Sequence, residues 1–202
     1  MTTDAAKGAA GAGVRDFPHV ALRTARLVLR PWAESDIGAI TAACQDPDIQ
    51  RYVPIPAPYS RTDAEVFVRE VVPQGRAAGT DVVFGVFDAE SGLPVASVGL
   101  HRIRHLVAPC GGAAEVGYWA APAARGAGYM TEAVREVCRW GFADLGLARI
   151  EWIAIAGNAA SWRVAEKLGF TREGTLRSYL IHRGVREDVW IGSLLRPEAG
   201  LG

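Results

Sequence analysis

Apolar residues recur along the chain with two different periods, and the change from one to the other marks out the elements. Arg26-Leu27-Val28-Leu29-Arg30-Pro31-Trp32 reads as a strand stopped by proline, and Glu34-Ser35-Asp36 then supplies N-cap chemistry for a helix through Cys44. Pro54-Ile55-Pro56-Ala57-Pro58 sustains neither helix nor central strand and reads as a loop, after which Ser60-Arg61-Thr62-Asp63 opens a second helix to about Arg76. Two runs rich in Val and Phe, residues 81–88 and 93–104, flank Ala89-Glu90-Ser91-Gly92 and predict an antiparallel hairpin. Gly111-Gly112 ends the next connection, and Glu115-Val116-Gly117-Tyr118-Trp119-Ala120 is a short strand. A helix is predicted over 131–145, where Val134, Val137, Cys138, Phe142 and Leu145 lie close to one face. Residues 150–156 read as a buried strand, 159–168 as a helix stopped by Gly169, and the remainder to residue 195 as a long hairpin about Gly184.

The first stretch, residues 1–17, is Ala, Gly and Thr with almost no large apolar side chain, so burial cannot offset its ordering entropy. A disordered tail over residues 1–20 and a single domain over residues 21–197 are expected. Half of the 202 residues are apolar, enough for one domain-sized core. Lys plus Arg, 22, equals Asp plus Glu, 22, so no overall field recruits nucleic acid or an anionic membrane, and a partner must be recognised locally. Cys44, Cys110 and Cys138 are widely spaced without a Cys-x-x-Cys pair, which points away from a disulfide framework and from a zinc ribbon and fits a reducing compartment. No apolar run approaches the roughly 18 residues of a spanning helix, and the N-terminus lacks the order of a signal peptide. A cytoplasmic protein is expected. His101 and His105 with Cys110 make a poor zinc set, because ligands four apart converge on a helix and this segment reads as strand. They read as solvated or substrate-facing, and no metal is expected. The six tryptophans have no interleaved basic stripe and read as core and pocket walls.

Candidate chemistry concentrates where the strand ending at Ala120 passes through Arg125-Gly126-Ala127-Gly128-Tyr129-Met130 into the helix opening near Thr131. Gly126 and Gly128 permit backbone conformations and a close approach that side chains block. The helix N-terminus adds unsatisfied N–H donors and partial positive charge, and Arg125 can add more, a combination suited to a pyrophosphate. Taken alone, such a loop is equally a plain turn. It is no Walker loop, since Gly-Lys-Ser/Thr is absent, and the three-glycine dinucleotide pattern is incomplete. Downstream, Asn158 and Ser161 open the helix after residues 150–156, and two readings stand: plain N-capping, or side chains facing the thiol end of a bound coenzyme.

In their joint order, Arg125-x-x-Gly128, Asn158-x-x-Ser161, Glu166-Lys167-Leu168-Gly169-Phe170, Glu115-Val116-Gly117-Tyr118-Trp119 and the opening Thr24-Ala25-Arg26-Leu27-Val28-Leu29-Arg30-Pro31-Trp32 resemble the GNAT acyltransferases, in particular their ribosomal-protein N-terminal acetyltransferase branch. The resemblance covers nearly all of residues 22–195. It implies an α/β (α+β) fold: a mixed, mostly antiparallel sheet of six to seven strands, splayed in the middle and flanked by about four helices. It further implies an acyl-CoA co-substrate, acetyl-CoA or another such as succinyl-CoA, whose acyl group passes to a primary amine, of a protein N-terminus or a small molecule, by direct attack. Carried over by position, Arg125, Gly126, Ala127, Gly128, Tyr129 and Met130 would hold the pyrophosphate. Tyr118, Trp119, Ala120, Asn158 and Ser161 would meet the pantetheine arm, with a main-chain N–H near Trp119 or Ala120 at the oxyanion. Glu115 is the candidate general base, Ser161 the candidate general acid, and Tyr179 its competitor. Two departures stand out. Met130 takes a position usually held by glycine or alanine, and is expected to point into the apolar layer under the helix. A glutamate found in several relatives on the strand after Gly169-Phe170 has no counterpart at Tyr179-Leu180. The alternative reading is a non-catalytic module that senses acyl-CoA; homodimers are frequent in the family.

Overall fold

In the structure, a computed structural model, residue 17 and residues 20–104 and 111–200 are described. The strands are β1 (Leu22–Arg23), β2 (Leu27–Arg30), β3 (Val82–Asp88), β4 (Pro94–Arg104), β5 (Gly112–Ala120), β6 (Leu147–Ile155), β7 (Thr171–His182) and β8 (Val185–Leu195). They form one sheet in the order β1-β2-β3-β4-β5-β6-β8-β7, in which only β5 and β6 run parallel. Eight strands exceed the six to seven expected because the stretch read as one strand from Leu22 turns back on itself. Leu22 pairs with Leu29, and the turn between them is closed by Thr24, whose N–H donates to the Leu27 carbonyl at 3.0 Å.

Among the described residues six α-helices flank the sheet: α1 (Ile37–Ala43), α2 (Pro47–Tyr52), α3 (Arg61–Val66), α4 (Val72–Ala77), α5 (Tyr129–Ala143) and α6 (Ala159–Lys167). The unexpected one is α2, which has Pro47 in its first turn and the Asp46 carboxylate accepting the Ile49 N–H at 3.0 Å. The single helix expected to run to Arg76 is instead α3 and α4 joined by a π-helical turn, Phe67–Val71. Pro73 explains the widening: it has no N–H to give, and its ring crowds the carbonyl four residues earlier.

The strands alternate between two cores. On β3, Val82, Phe84 and Val86 face the core under α5, whereas Val83 and Phe87 face the core under α1 and α3. On α5, Ala133, Val134, Val137 and Phe142 are fully buried, so the predicted apolar stripe is the stripe that packs. Burying each such large side chain stabilises the fold by roughly 1.5–3 kcal/mol. Cys44 and Cys138 are free and buried, and burial pushes both thiols up to about 12, which keeps them protonated. No described helix is long and apolar enough to cross a membrane.

The feature that positions the site is a fork. β5 and β6 pair from Gly112↔Leu147 to Val116↔Trp152 and no further. Beyond that pair, β5 stays with β4 as far as Ala120↔Ala96, and β6 stays with β8 as far as Ile155↔Val189. Residues 117–120 and 153–155 therefore diverge, leaving main-chain groups on both sides of an opening.

Below the fork an ion network ties β6 to the outer hairpin. Arg149 donates to Glu173 at 2.8 Å, and the Ser193 hydroxyl donates to the same carboxylate oxygen at 2.7 Å. Together, and Arg149 most of all, they hold the Glu173 carboxyl down to about 2 against an ordinary 4.5. A depressed folded-state value gives stability that is present above the unfolded value and is lost as the pH falls through the folded one. Glu173→Gln is therefore expected to flatten the acid-unfolding curve between pH 4.5 and 2, modestly because the pair is part-exposed. Parallel curves for variant and parent would show that this pair does not couple to folding.

Candidate active site at the sheet fork

Past β5 the chain makes one 3-10 turn, Pro122–Ala124, and reaches the glycine loop. Gly126 and Gly128 adopt φ of +82° and +81°, in the left-handed region that side chains disfavour. Gly128 is the N-cap of α5 and gives no side-chain cap, so the first N–H groups of a 15-residue helix have no side-chain acceptor at the cap. α5 opens at Tyr129, two residues before the expected start, which brings Tyr129 and Met130 into its first turn. Met130 is buried in the main core, directed away from the loop.

Two arginines fix the loop, Arg125, which the sequence singles out, and Arg26, which it does not. Arg125 does not stand free for an anion: it is ion-paired with Asp46 and, at 3.3 Å, with Asp48 at the start of α2. Arg26, at the edge of β2, donates to the Ala127 carbonyl at 3.1 Å, pairs with Glu132 of α5 at 2.6 Å, and lies 4.9 Å from the Tyr129 ring centroid. The Tyr129 hydroxyl in turn donates to Asp88 at 3.0 Å. Nothing local could have linked Arg26 to a loop 101 residues away.

Inside the fork, on the α5 face, a closed ring of hydrogen bonds joins β5, β6 and α6. The Ser161 hydroxyl donates to the Tyr118 oxygen at 3.1 Å and accepts from Trp152 Nε1 at 2.9 Å, while the Tyr118 hydroxyl donates to the Ser161 carbonyl at 3.0 Å. Burial pushes the Tyr118 hydroxyl up to about 12, so it stays protonated. Asn158 takes the capping role, accepting the Ser161 N–H at 3.1 Å. Ser161→Ala leaves the Trp152 N–H without an acceptor in a buried place, and a loss of about 1–3 kcal/mol of stability, read from the denaturant midpoint, is expected. An unchanged midpoint would mean that the ring holds nothing together. Tyr179 is not brought to this ring. It lies on β7 beside a break in register between Leu176 and Leu180, is 52% exposed, and has no hydrogen-bond partner among the described residues.

The opposite face of the fork is built by β4 and β5. Three successive cross-strand pairs make a row on it: His101 with Glu115, Gly99 with Gly117, and Ser97 with Trp119. The glycine pair is the middle of the row, and the His101 ring lies against it. Trp119, stacked on Trp32 with ring centroids 6.1 Å apart, closes one end, and Glu115 and His101 stand at the other. Glu115 lies one residue below the last β5–β6 pair, and its carboxylate accepts from Arg102 at 2.8 Å. Burial raises its pKa above the ordinary glutamate range, with Arg102 and His101 opposing. Arg102 reaches Glu115 from a register break, with φ of +49°, a left-handed backbone costing about 1–2 kcal/mol that no sequence pattern announced.

Among the described residues no group of His, Cys, Asp and Glu is arranged to hold a metal ion, and His105 and Cys110 of the weighed zinc set lie outside them. Two left-handed glycines and an uncapped helix start instead make a donor set that fits a pyrophosphate.

Comparison with known proteins points the same way. The acetyltransferase (GNAT) domain profile matches residues 26–171. An uncharacterized N-acetyltransferase of Bacillus subtilis, YoaA, is 28% identical over 178 residues, covering 87% of this chain and 97% of its own. RimJ of Mycobacterium smegmatis, solved in complex with CoA-disulfide, superposes with a TM-score of 0.77 at 22% identity over 86% of this chain and 84% of its own. The ribosomal-protein-S5-alanine acetyltransferase of Vibrio fischeri does so with a TM-score of 0.73 at 22% identity, over 89% and 98%. A domain match across most of the chain, laid over a sheet forked beside a glycine loop, makes this protein a member of the GNAT family, an acyl-CoA-dependent N-acetyltransferase.

Proposed function

We propose that this enzyme acetylates the N-terminal amine of a protein by direct attack within a ternary complex, with acetyl-CoA in the fork and the acceptor on the opposite face, in a slot between Glu115 and Trp119. Acetyl-CoA supplies the activated thioester. The observation that carries the reading is the placement of Glu115: a part-buried carboxylate one residue from the fork, on the face opposite the Tyr118–Ser161 ring. There Glu115 receives the proton that the acceptor ammonium must lose, and a main-chain N–H at Trp119 or Ala120 meets the oxyanion. Main-chain groups of Tyr118, Trp119 and Ala120 hold the pantetheine arm. The amides of Gly126 to Met130 hold the pyrophosphate, with Arg125 shaping the loop from its pair with Asp46. The Ser161 hydroxyl, polarised by the Trp152 N–H, protonates the departing sulfur and takes a proton back from water as coenzyme A leaves, while Tyr118 holds its orientation. Tyr179, the competitor for that role, stands apart from the ring.

A protein N-terminus as acceptor is in keeping with the name of the Vibrio fischeri protein, a ribosomal-protein-S5-alanine acetyltransferase. The test incubates the protein with acetyl-CoA and peptides beginning with Ala or Ser, beside a polyamine and an amino sugar, and follows free thiol and product mass. Acetylated peptide supports the reading. Turnover confined to the small amines would move the acceptor to that class, and a succinyl mass increment from succinyl-CoA would move the donor.

A further inference from the structure

On the slot face, polar residues form a row across three neighbouring strands. Asp81 stands immediately before β3, His101 is on β4, and Glu115 is its cross-strand partner on β5. Directly opposed residues of an antiparallel pair share a face with Cβ atoms about 4.5–5.5 Å apart. His101 is fixed from one side: Nδ1 lies 3.0 Å from Asp81 Oδ1. That hydrogen bond is the main reason the Asp81 carboxyl stays below the ordinary range, and a carboxylate can only accept. Nδ1 therefore donates to Asp81, and Nε2 is the ring nitrogen left for a second partner.

The other edge of the imidazole lies over the glycine pair. A Cβ on Gly99 would stand 3.0 Å from Nε2, and one on Gly117 would stand 3.0 Å from Cδ2 and 3.2 Å from Nε2. The glycine pair thus makes room for the ring. The charged groups around Glu115 are Arg102, His101, Glu151 and Arg104. The arginines do not release their protons, and Glu151 is held below the usual range, burial notwithstanding, by Arg104 and Arg149. Of these four, only His101 has ring nitrogens that can both accept and release a proton, and its side chain is 36% exposed.

We propose that Asp81 and His101 are a proton relay for Glu115. The proton passes from the acceptor ammonium to a Glu115 oxygen, then across a water between the two paired side chains to His101 Nε2, and then to bulk water or buffer at the exposed edge of the ring. No electrons are exchanged, and Glu115 is returned as carboxylate for the next turnover. Asp81 is the positioning residue, fixing the tautomer and the ring plane. The relay rests on the role proposed above for Glu115, and its test has one arm that needs no turnover.

In the full chain labelled with 13C-histidine, the His101 signal is assigned by its loss in His101→Asn and titrated. Glu115→Gln and Asp81→Asn are each expected to lower its midpoint, since each removes a neighbouring negative charge. A His101 midpoint unmoved by Glu115→Gln overturns the relay. In the second arm, with acetyl-CoA and a tetrapeptide beginning with alanine, His101→Asn is expected to lower kcat about 100-fold at pH 7 with little change in KM for acetyl-CoA. Added imidazole should restore part of the rate to His101→Ala. Gly117→Ala, whose added methyl would meet only the His101 ring within 4 Å, should reproduce the loss in kcat. A His101→Asn enzyme with parental kcat, or one altered only in KM, overturns the proposal. If the parent does not acetylate the tetrapeptide, the acceptor reading fails, and the titration still decides the relay.

Discussion

Replacing Gly128 with valine is expected to raise the Kd for coenzyme A about 100-fold, as measured by calorimetry, while the protein still folds. Gly128 sits at φ +81°, which a β-branched residue does not adopt without strain of about 1–3 kcal/mol. The loop would relieve that strain by rotating, and rotation turns away the amides that converge on the anion. Each charge-assisted hydrogen bond lost is worth about 1.5–3 kcal/mol, so one or two of them reach the stated factor. The core is spared because a Cβ at Gly128 meets only the end of Arg26, at 3.6 Å. Unchanged affinity would place the pyrophosphate elsewhere on the molecule.

Glu115→Gln should lower kcat by about 100- to 1000-fold at neutral pH and leave coenzyme affinity near that of the parent. The amide keeps the shape of the side chain but cannot accept a proton. Arg102 loses its partner, yet its side chain is 58% exposed and water can replace the carboxylate, so little stability is at stake. Because burial raises the Glu115 pKa, the parental rate should fall with decreasing pH from above the ordinary glutamate range. That limb should vanish in the variant. A variant that retains both rate and limb would move the base to another residue.

The parts of this structure that sequence foretold are those whose causes are local. The apolar stripe of α5, the glycine loop before it and the capping pair at Asn158 are written in adjacent residues, and each was read where it stands, within two residues. α2 was missed although Asp46-Pro47 is a sound helix start, because six residues carry too little periodicity to register. The tasks of Arg125 and Arg26 were illegible because their partners lie 77 to 106 residues away. The Arg102–Glu115 pair depends on a break in register, which is a property of two strands together and of neither alone. Gly99 and Gly117 are ordinary strand glycines in sequence, and only pairing shows that they face one another.

The fork also makes the sheet one strand short at its centre. Exposed ladder edges elsewhere invite unwanted neighbours, and chains usually shield them with charge, proline or short length. Here the bare edges face inward across a narrow gap, bridged at one level by Tyr118 and α6. On the proposed reading, the missing strand is supplied by the amide-bearing arm of the coenzyme, so its recognition is main chain to amide, and the side chains of residues 117–120 are left to shape what lies above and below.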